Sequence, residues 1–240
     1  MTVRRGPSAR DLLRIRWEYP VYTPPAEAQP GKTVAKAERR ALSREEALRT
    51  IAGDDPRPLL VLRECMVCNG TDDALLKGGP DNEQTSMLAL WFHCVKLPVE
   101  ANQKDHPFYN LFELDVPEHL FVALADGASH EPLESQTSRT ELWKSMREVL
   151  AQAYKQTPES AVKQITRILD KLDLADQRWN DLTARRDDLL EQEGPDSKGL
   201  PKLQKELDQV QAEREKLRAS LVKVSALELR PQAEPAPAGG

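Results

Sequence analysis

Two cysteines with two residues between them are the feature of this sequence that most directly suggests chemistry. Cys65 and Cys68 follow the apolar run 58–62, and residues 71–76 after them favour a helix. Sulfur atoms three positions apart in the first turn of a helix can form a disulfide with little backbone movement. The positive end of the helix dipole favours the thiolate of Cys65, which is the nucleophilic form. The spacing predicts a redox pair in which Cys65 attacks a partner disulfide and Cys68 resolves the product.

The same two cysteines also fit the start of a zinc site. Two of the histidines at positions 93, 106 and 119 would complete a Cys2His2 set, but the usual His-x3–5-His pair is absent, so the ligands would have to converge from separate loops. Adjacent residues of a strand point to opposite faces, which separates His93 from Cys94. We expect Cys94 to be an idle buried thiol and His119 to be a solvated loop residue. The sequence assigns no metal ligand and no cofactor, and the zinc-stabilised module stays an alternative.

The elements around the cysteines follow from local patterns. Residues 88–97 and 118–125 predict two more buried strands, Asp126-Gly127 predicts a hairpin turn, and residues 132–135 would form the returning strand. Ser43 and Ser138 each precede a Glu by three positions, which is the capping-box pattern of a helix start. The first of these helices would end near Gly53, just before the strand that leads to Cys65.

The order strand, Cys-x-x-Cys, helix, strand, Pro117, hairpin and C-terminal helix resembles the thioredoxin superfamily over roughly residues 43–154. The resemblance implies an α/β fold, with a mixed sheet flanked by helices, and a cis Pro117 that faces the cysteines and helps to bind a peptide. It therefore adds Pro117 to Cys65 and Cys68 as a catalytic residue. The chain departs from the family at Glu64, where thioredoxins carry Trp, and at residues 66–67, where they carry Gly-Pro.

The C-terminal third has the clearest periodicity. Two segments, 165–189 and 200–224, each carry apolar residues and one arginine at spacings that alternate between three and four. Residues 194–199 between them are rich in Gly and Pro, which break helices. Heptads of this length with a short connection predict an antiparallel coiled-coil hairpin. The seam arginines are Arg186 and Arg214, which we expect to reach acidic neighbours while their stems pack. Trp179 would protrude beyond a two-helix interface.

Four regions result from these patterns: an N-terminal arm and Pro-rich linker (1–42), the thioredoxin-like domain (43–157), the coiled-coil hairpin (158–228) and a disordered tail (229–240). Residues 12–19 alternate in polarity and would form a strand within the arm. The hairpin exposes one face of each helix, so we expect it to bind a protein partner or a second copy of the chain.

The composition of the chain narrows the functional classes to expect. The chain of 240 residues has a net charge of −5, which gives no reason to expect nucleic-acid binding. It has no secretory signal and no apolar run long enough to cross a membrane, so we expect a cytoplasmic protein that does not contact membranes. We expect a thiol–disulfide oxidoreductase or redox sensor whose substrate is a protein disulfide. A non-catalytic adaptor on the same core is the main alternative.

Overall fold

The computed structural model describes residues 5–22, 40–65, 75–76, 82–112, 119–134 and 137–231. Cys68, Pro117 and the predicted start of the helix after the cysteine pair lie outside these residues. The chain divides into two compact units. The first, the hairpin unit, comprises Met1–Arg14, Gly78–Met87 and Pro158–Leu227. The second, the sheet unit, comprises Ile15–Lys77, Leu88–Thr157 and Glu228–Gly240.

A four-stranded mixed sheet forms the centre of the sheet unit. Its strands are β1 (Leu59–Arg63), β2 (His93–Leu97), β3 (Leu120–Ala123) and β4 (Glu131–Leu133), in the order β2-β1-β3-β4. β1 is parallel to β2 and antiparallel to β3, and β3 is antiparallel to β4. The parallel pair requires a crossover between β1 and β2. The predicted mixed α/β class is therefore confirmed.

Helices of the sheet unit begin where the capping boxes predict. Ser43 precedes α2 (Arg44–Ala52) and Ser138 precedes α4 (Arg139–Ala153). The hydroxyl of each serine accepts a hydrogen bond from the amide of the glutamate three positions on, and that glutamate's carboxylate accepts one from the serine amide. α2 packs Ala47, Leu48 and Ile51 onto one face of the sheet, and α4 contacts β3. All four residues of β3 and the first four of β1 are buried, because both faces of the sheet are covered.

Gly127 makes the β3–β4 turn. Its φ is +82°, and its amide donates to the carbonyl of Leu124. A Cβ atom at this position would lie 2.3 Å from Cδ1 of Leu48 in α2. The hairpin predicted at Asp126-Gly127 is therefore present, and two independent constraints require glycine there.

Two of the predicted strands differ from the structure. The apolar segment 88–97 is helical to the end of α3 (Glu83–Ala89), turns at residues 90–92 and forms a strand only from His93. The alternating segment 12–19 was predicted wrongly as a strand. It follows helix α1 (Pro7–Leu12), and only Glu18 pairs with the sheet, through a parallel bridge to Val95.

Two long helices form the antiparallel hairpin of the hairpin unit. They are α5 (Pro158–Glu193) and α6 (Leu200–Ser225), of 36 and 26 residues. The first arm is about 54 Å long at ~1.5 Å per residue. Gly194, with φ +77°, ends α5 by donating to the carbonyl of Leu190. Every predicted seam residue is buried or half-buried, with Ala175, Leu182, Leu207 and Val210 at the centre.

The two seam arginines behave differently. Arg186 pairs with its neighbour Asp187 at the surface, whereas Arg214 crosses the seam to Asp176 at 2.9 Å. The guanidinium of Arg214 also lies 5.3 Å from the ring centroid of Trp179. The expectation that the arginines reach acidic neighbours is confirmed. The side chain of Trp179 is half-buried, and the guanidinium of Arg214 lies over its ring.

Candidate functional site

Cys65 lies two residues beyond the carboxyl end of β1. It is half-buried and disulfide-bonded. The amide of Glu64, just before it, donates to the carbonyl of Leu97 at 2.9 Å. The amide of Arg63 donates to the carbonyl of His119 at 2.7 Å. The backbone that leads to Cys65 is thus fixed on both sides, by the end of β2 and by the residue before β3.

The two charged residues just before Cys65 each have a partner of their own. Glu64 forms an ion pair with Lys96 at 2.7 Å, so its negative charge next to Cys65 is offset. The guanidinium of Arg63 lies 5.2 Å from the ring centroid of Phe112. From the sequence, Glu64 and Arg63 oppose each other in their effect on a Cys65 thiolate. Lys96, which sequence spacing could not place here, shifts that balance toward the thiolate.

His119 is buried at the same edge of the sheet, with only 1% of its surface exposed. The expectation of a solvated loop histidine was wrong. Leu62 faces Leu120 in the antiparallel register, which holds the residue before β3 beside the end of β1. His119, one of the histidines considered as zinc ligands, therefore lies at the Cys65 edge.

Cys94 and His93 lie at the opposite end of the sheet. Cys94 faces Leu60 in the parallel register, three strand residues and about 10 Å before Arg63, and Cys65 lies two residues further on. This separation along the sheet keeps Cys94 and His93 from sharing a metal ion with Cys65. Cys94 is a buried free thiol, and its burial raises its pKa to about 12. The prediction that Cys94 is a buried core residue is confirmed.

A small polar cluster surrounds His93. Its Nε2 atom lies 2.9 Å from a carboxylate oxygen of Glu18, and its Nδ1 atom lies 3.9 Å from Asp55. Asp55 also accepts three side-chain hydrogen bonds from Arg57, two from Nε and one from Nη2. Burial alone would raise the pKa of Asp55, but the hydrogen bonds and charge of Arg57 hold it below its ordinary value. The cluster ties the N-terminal strand-like residue Glu18 to the start of β2.

The hairpin unit contains a second, larger polar cluster that sequence reasoning missed. Arg5 contacts three carboxylates, and Ser8 contacts Asp176 and Arg214. The residues are up to 206 positions apart in the chain. The only local signal was the basic character of the first residues, which does not indicate a partner.

Among the described residues, no group of three or more His, Cys, Asp or Glu side chains could hold a metal ion. Within the same parts of the chain, no helix has both the length and the apolar surface needed to cross a bilayer.

No family model, no curated protein and no solved structure matches the chain.

Proposed function

We propose that the sheet unit is a thioredoxin-like thiol–disulfide oxidoreductase or redox sensor in which Cys65 pairs with Cys68. The observation that carries the proposal is the position of Cys65, which is disulfide-bonded at the carboxyl end of a buried parallel strand. Cys94, the third cysteine of the chain, is free and buried. The observed order β1, Cys65, crossover, β2, β3–β4 hairpin and α4 supports the thioredoxin-like assignment. Pro117 keeps its proposed role because it is two residues from His119, whose carbonyl binds the strand of Cys65.

The proposed reaction exchanges one disulfide for another. In the reduced protein, the Cys65 thiolate attacks a disulfide sulfur of the partner and forms a mixed disulfide. The other partner sulfur leaves as a thiolate and takes up a proton. Cys68, after losing its proton, attacks the sulfur of Cys65, which closes the Cys65–Cys68 disulfide and releases the second partner thiol. The partner gains two electrons and the protein loses two.

Lys96 has a positioning role in this proposal. Its ammonium group neutralises Glu64, which would otherwise raise the free energy of a thiolate at the next residue. In the reduced protein, replacement of Lys96 by Met should slow the alkylation of Cys65 at pH 7. The exposed Lys104 offers a matched control, and Lys104→Met should leave the alkylation rate unchanged.

A thiol count with and without reductant tests the proposal. The unfolded chain should take up one alkyl group before reduction and three after it, as measured by intact mass. Cys65→Ser should abolish reduction of a small protein disulfide, Cys68→Ser should accumulate the mixed disulfide, and Cys94→Ser should do neither. Three labels without reductant, or full activity of Cys65→Ser, would refute the redox assignment.

The hairpin favours a second candidate function. Arms of 36 and 26 residues are much longer than a catalytic core needs, and they suit an adaptor that binds a protein partner or a second copy. An adaptor should keep its association when both Cys65 and Cys68 are replaced by Ser, and light scattering of the double variant would show this. A zinc-stabilised module would instead release stoichiometric zinc on acid treatment, which metal analysis detects.

A further inference from the structure

Arg5 is enclosed by carboxylates of the hairpin unit. Its side chain is only 6% exposed. Nε and Nη2 donate to the two oxygens of Glu83 at 2.8 and 2.6 Å, and Nη1 donates to Asp170 and Asp173 at 2.6 and 2.8 Å. Hydrogen bonds to Glu83 are the main cause that raises the pKa of Arg5 above its ordinary value. A flat guanidinium with five donors fits this arrangement, whereas a lysine could not occupy both sides of it.

Each of the three residues after Arg5 suits its position in the site. The amide of Gly6 donates to Asp173 at 2.7 Å, and a Cβ atom on Gly6 would lie 2.8 Å from Oδ2 of Asp176. Pro7 occupies the first turn of α1, where no amide donor is needed. The amide and the hydroxyl of Ser8 donate to the two oxygens of Asp176 at 2.9 and 2.8 Å.

Arg214 completes the pocket for Ser8. Its Nη2 atom donates to the Ser8 hydroxyl at 2.8 Å and to Oδ1 of Asp176 at 2.9 Å. Asp176 is only 5% exposed. Four carboxylates and one cation therefore select a guanidinium at position 5, a residue without a side chain at position 6 and a hydroxyl at position 8.

The segment Arg5–Leu13 depends on this site for its own structure. α1 has six residues, too few to be stable as an isolated helix. It has no side-chain cap of its own, and Asp173 and Asp176 of α5 accept from its first amides instead. Its buried residues are small, namely Ser8 and Ala9. Most of the specific contacts are charged hydrogen bonds, so the segment is held in the manner of a bound peptide.

We propose that the hairpin unit carries a binding site for an Arg-Gly-Pro-Ser segment, that the chain's own N-terminal segment fills it, and that the same segment of a second copy can replace it. The site is acidic and selects a sequence that every copy of this chain presents. The covalent link gives the internal segment a high effective concentration, so the closed monomer dominates in dilute solution. At high concentration, reciprocal exchange of the segments gives a closed dimer without any new contact.

Peptide exchange in the full chain tests the site. A specific protease sequence inserted after Arg14 allows the segment to be cut while the rest of the chain stays whole. A fluorescent peptide of residues 1–14 should then displace the cut segment, with polarisation giving the affinity, and high salt should weaken it. In the peptide, Arg5→Gln and Gly6→Ala should each weaken binding at least about tenfold, since each disrupts a charged contact. The matched control Arg10→Gln, at an exposed position of α1, should bind as the native peptide does.

The substitutions are placed in the peptide, so the folding of the cut chain cannot explain a loss of binding. The site assignment is overturned if the peptide does not bind, or if the Arg5→Gln peptide binds as tightly as the native one. For the second copy, light scattering of the uncut chain should show a dimer fraction that rises with concentration. An excess of the native peptide should reduce this fraction because it occupies the sites, whereas the same excess of the Arg5→Gln peptide should reduce it less. A chain that stays monomeric up to about 1 mM, the effective concentration typical of a short flexible link, overturns the exchange.

Discussion

Arg214→Met is the sharpest test of the seam of the hairpin. The change leaves Asp176 buried, with its two hydrogen bonds from Ser8 but without its charged partner. Removal of one partner from a buried ion pair costs about 3–5 kcal/mol. The remaining hydrogen bonds and the packing of the methionine stem reduce this cost, while the lost cation over Trp179 adds about 0.5–1 kcal/mol. We expect a loss of about 3 kcal/mol in the free energy of unfolding of the hairpin unit.

Urea denaturation followed by helical circular dichroism measures this loss, because the two long arms dominate the signal. Arg178→Met is the matched control. Arg178 also crosses the seam, to Glu213 at 2.9 Å, but both side chains are about half exposed. An exposed pair contributes about 0–1 kcal/mol. The double change Arg214→Met with Asp176→Asn should cost less than the sum of the single changes. Equal effects of Arg214→Met and Arg178→Met would refute the reasoning.

Three further predictions concern the sheet unit. Gly127→Ala should destabilise it by about 2–3 kcal/mol through its positive φ and a clash with Leu48, and an unchanged midpoint of thermal unfolding would contradict this. Cys94, with its pKa raised to about 12 by burial, should resist iodoacetamide at pH 8 until the protein unfolds, and rapid labelling of the native protein would contradict this. Asp55 has a lowered pKa, so its pairing with Arg57 stabilises the protein above pH ~4 and is lost as the pH falls through the folded pKa. Asp55→Asn should therefore reduce stability by up to about 1 kcal/mol at pH 7, and this difference should shrink as the pH falls below ~4, as measured by urea midpoints at each pH.

Local signals predicted the parts of the fold that depend on neighbouring residues. Ser43 and Ser138 begin helices because each cap is complete within four residues. The hairpin at Gly127 and the heptads of the two arms are local patterns of the same kind. The segment 88–97 was misassigned because a continuous apolar run has no period that separates helix from strand.

The parts of the site that sequence could not predict depend on distant contacts. α1 forms because Asp173 and Asp176, more than 160 residues away in sequence, accept from its first amides. Lys96 reaches the Cys65 edge only through the parallel register of β1 and β2. His119 was expected in solvent because loop position alone does not reveal burial at a sheet edge.

The assembly of the hairpin unit from three separate stretches has a consequence for synthesis. Arg5 and its partner Asp170 are 165 residues apart in the chain. A ribosome that adds about 5–20 residues per second needs roughly 8–33 s to make the intervening chain. Throughout that interval Arg5 lacks Asp170 and Asp173, so residues 5–8 are open to chaperones, proteases or a neighbouring nascent chain. Translation of the first half of α5 therefore decides when this segment becomes protected.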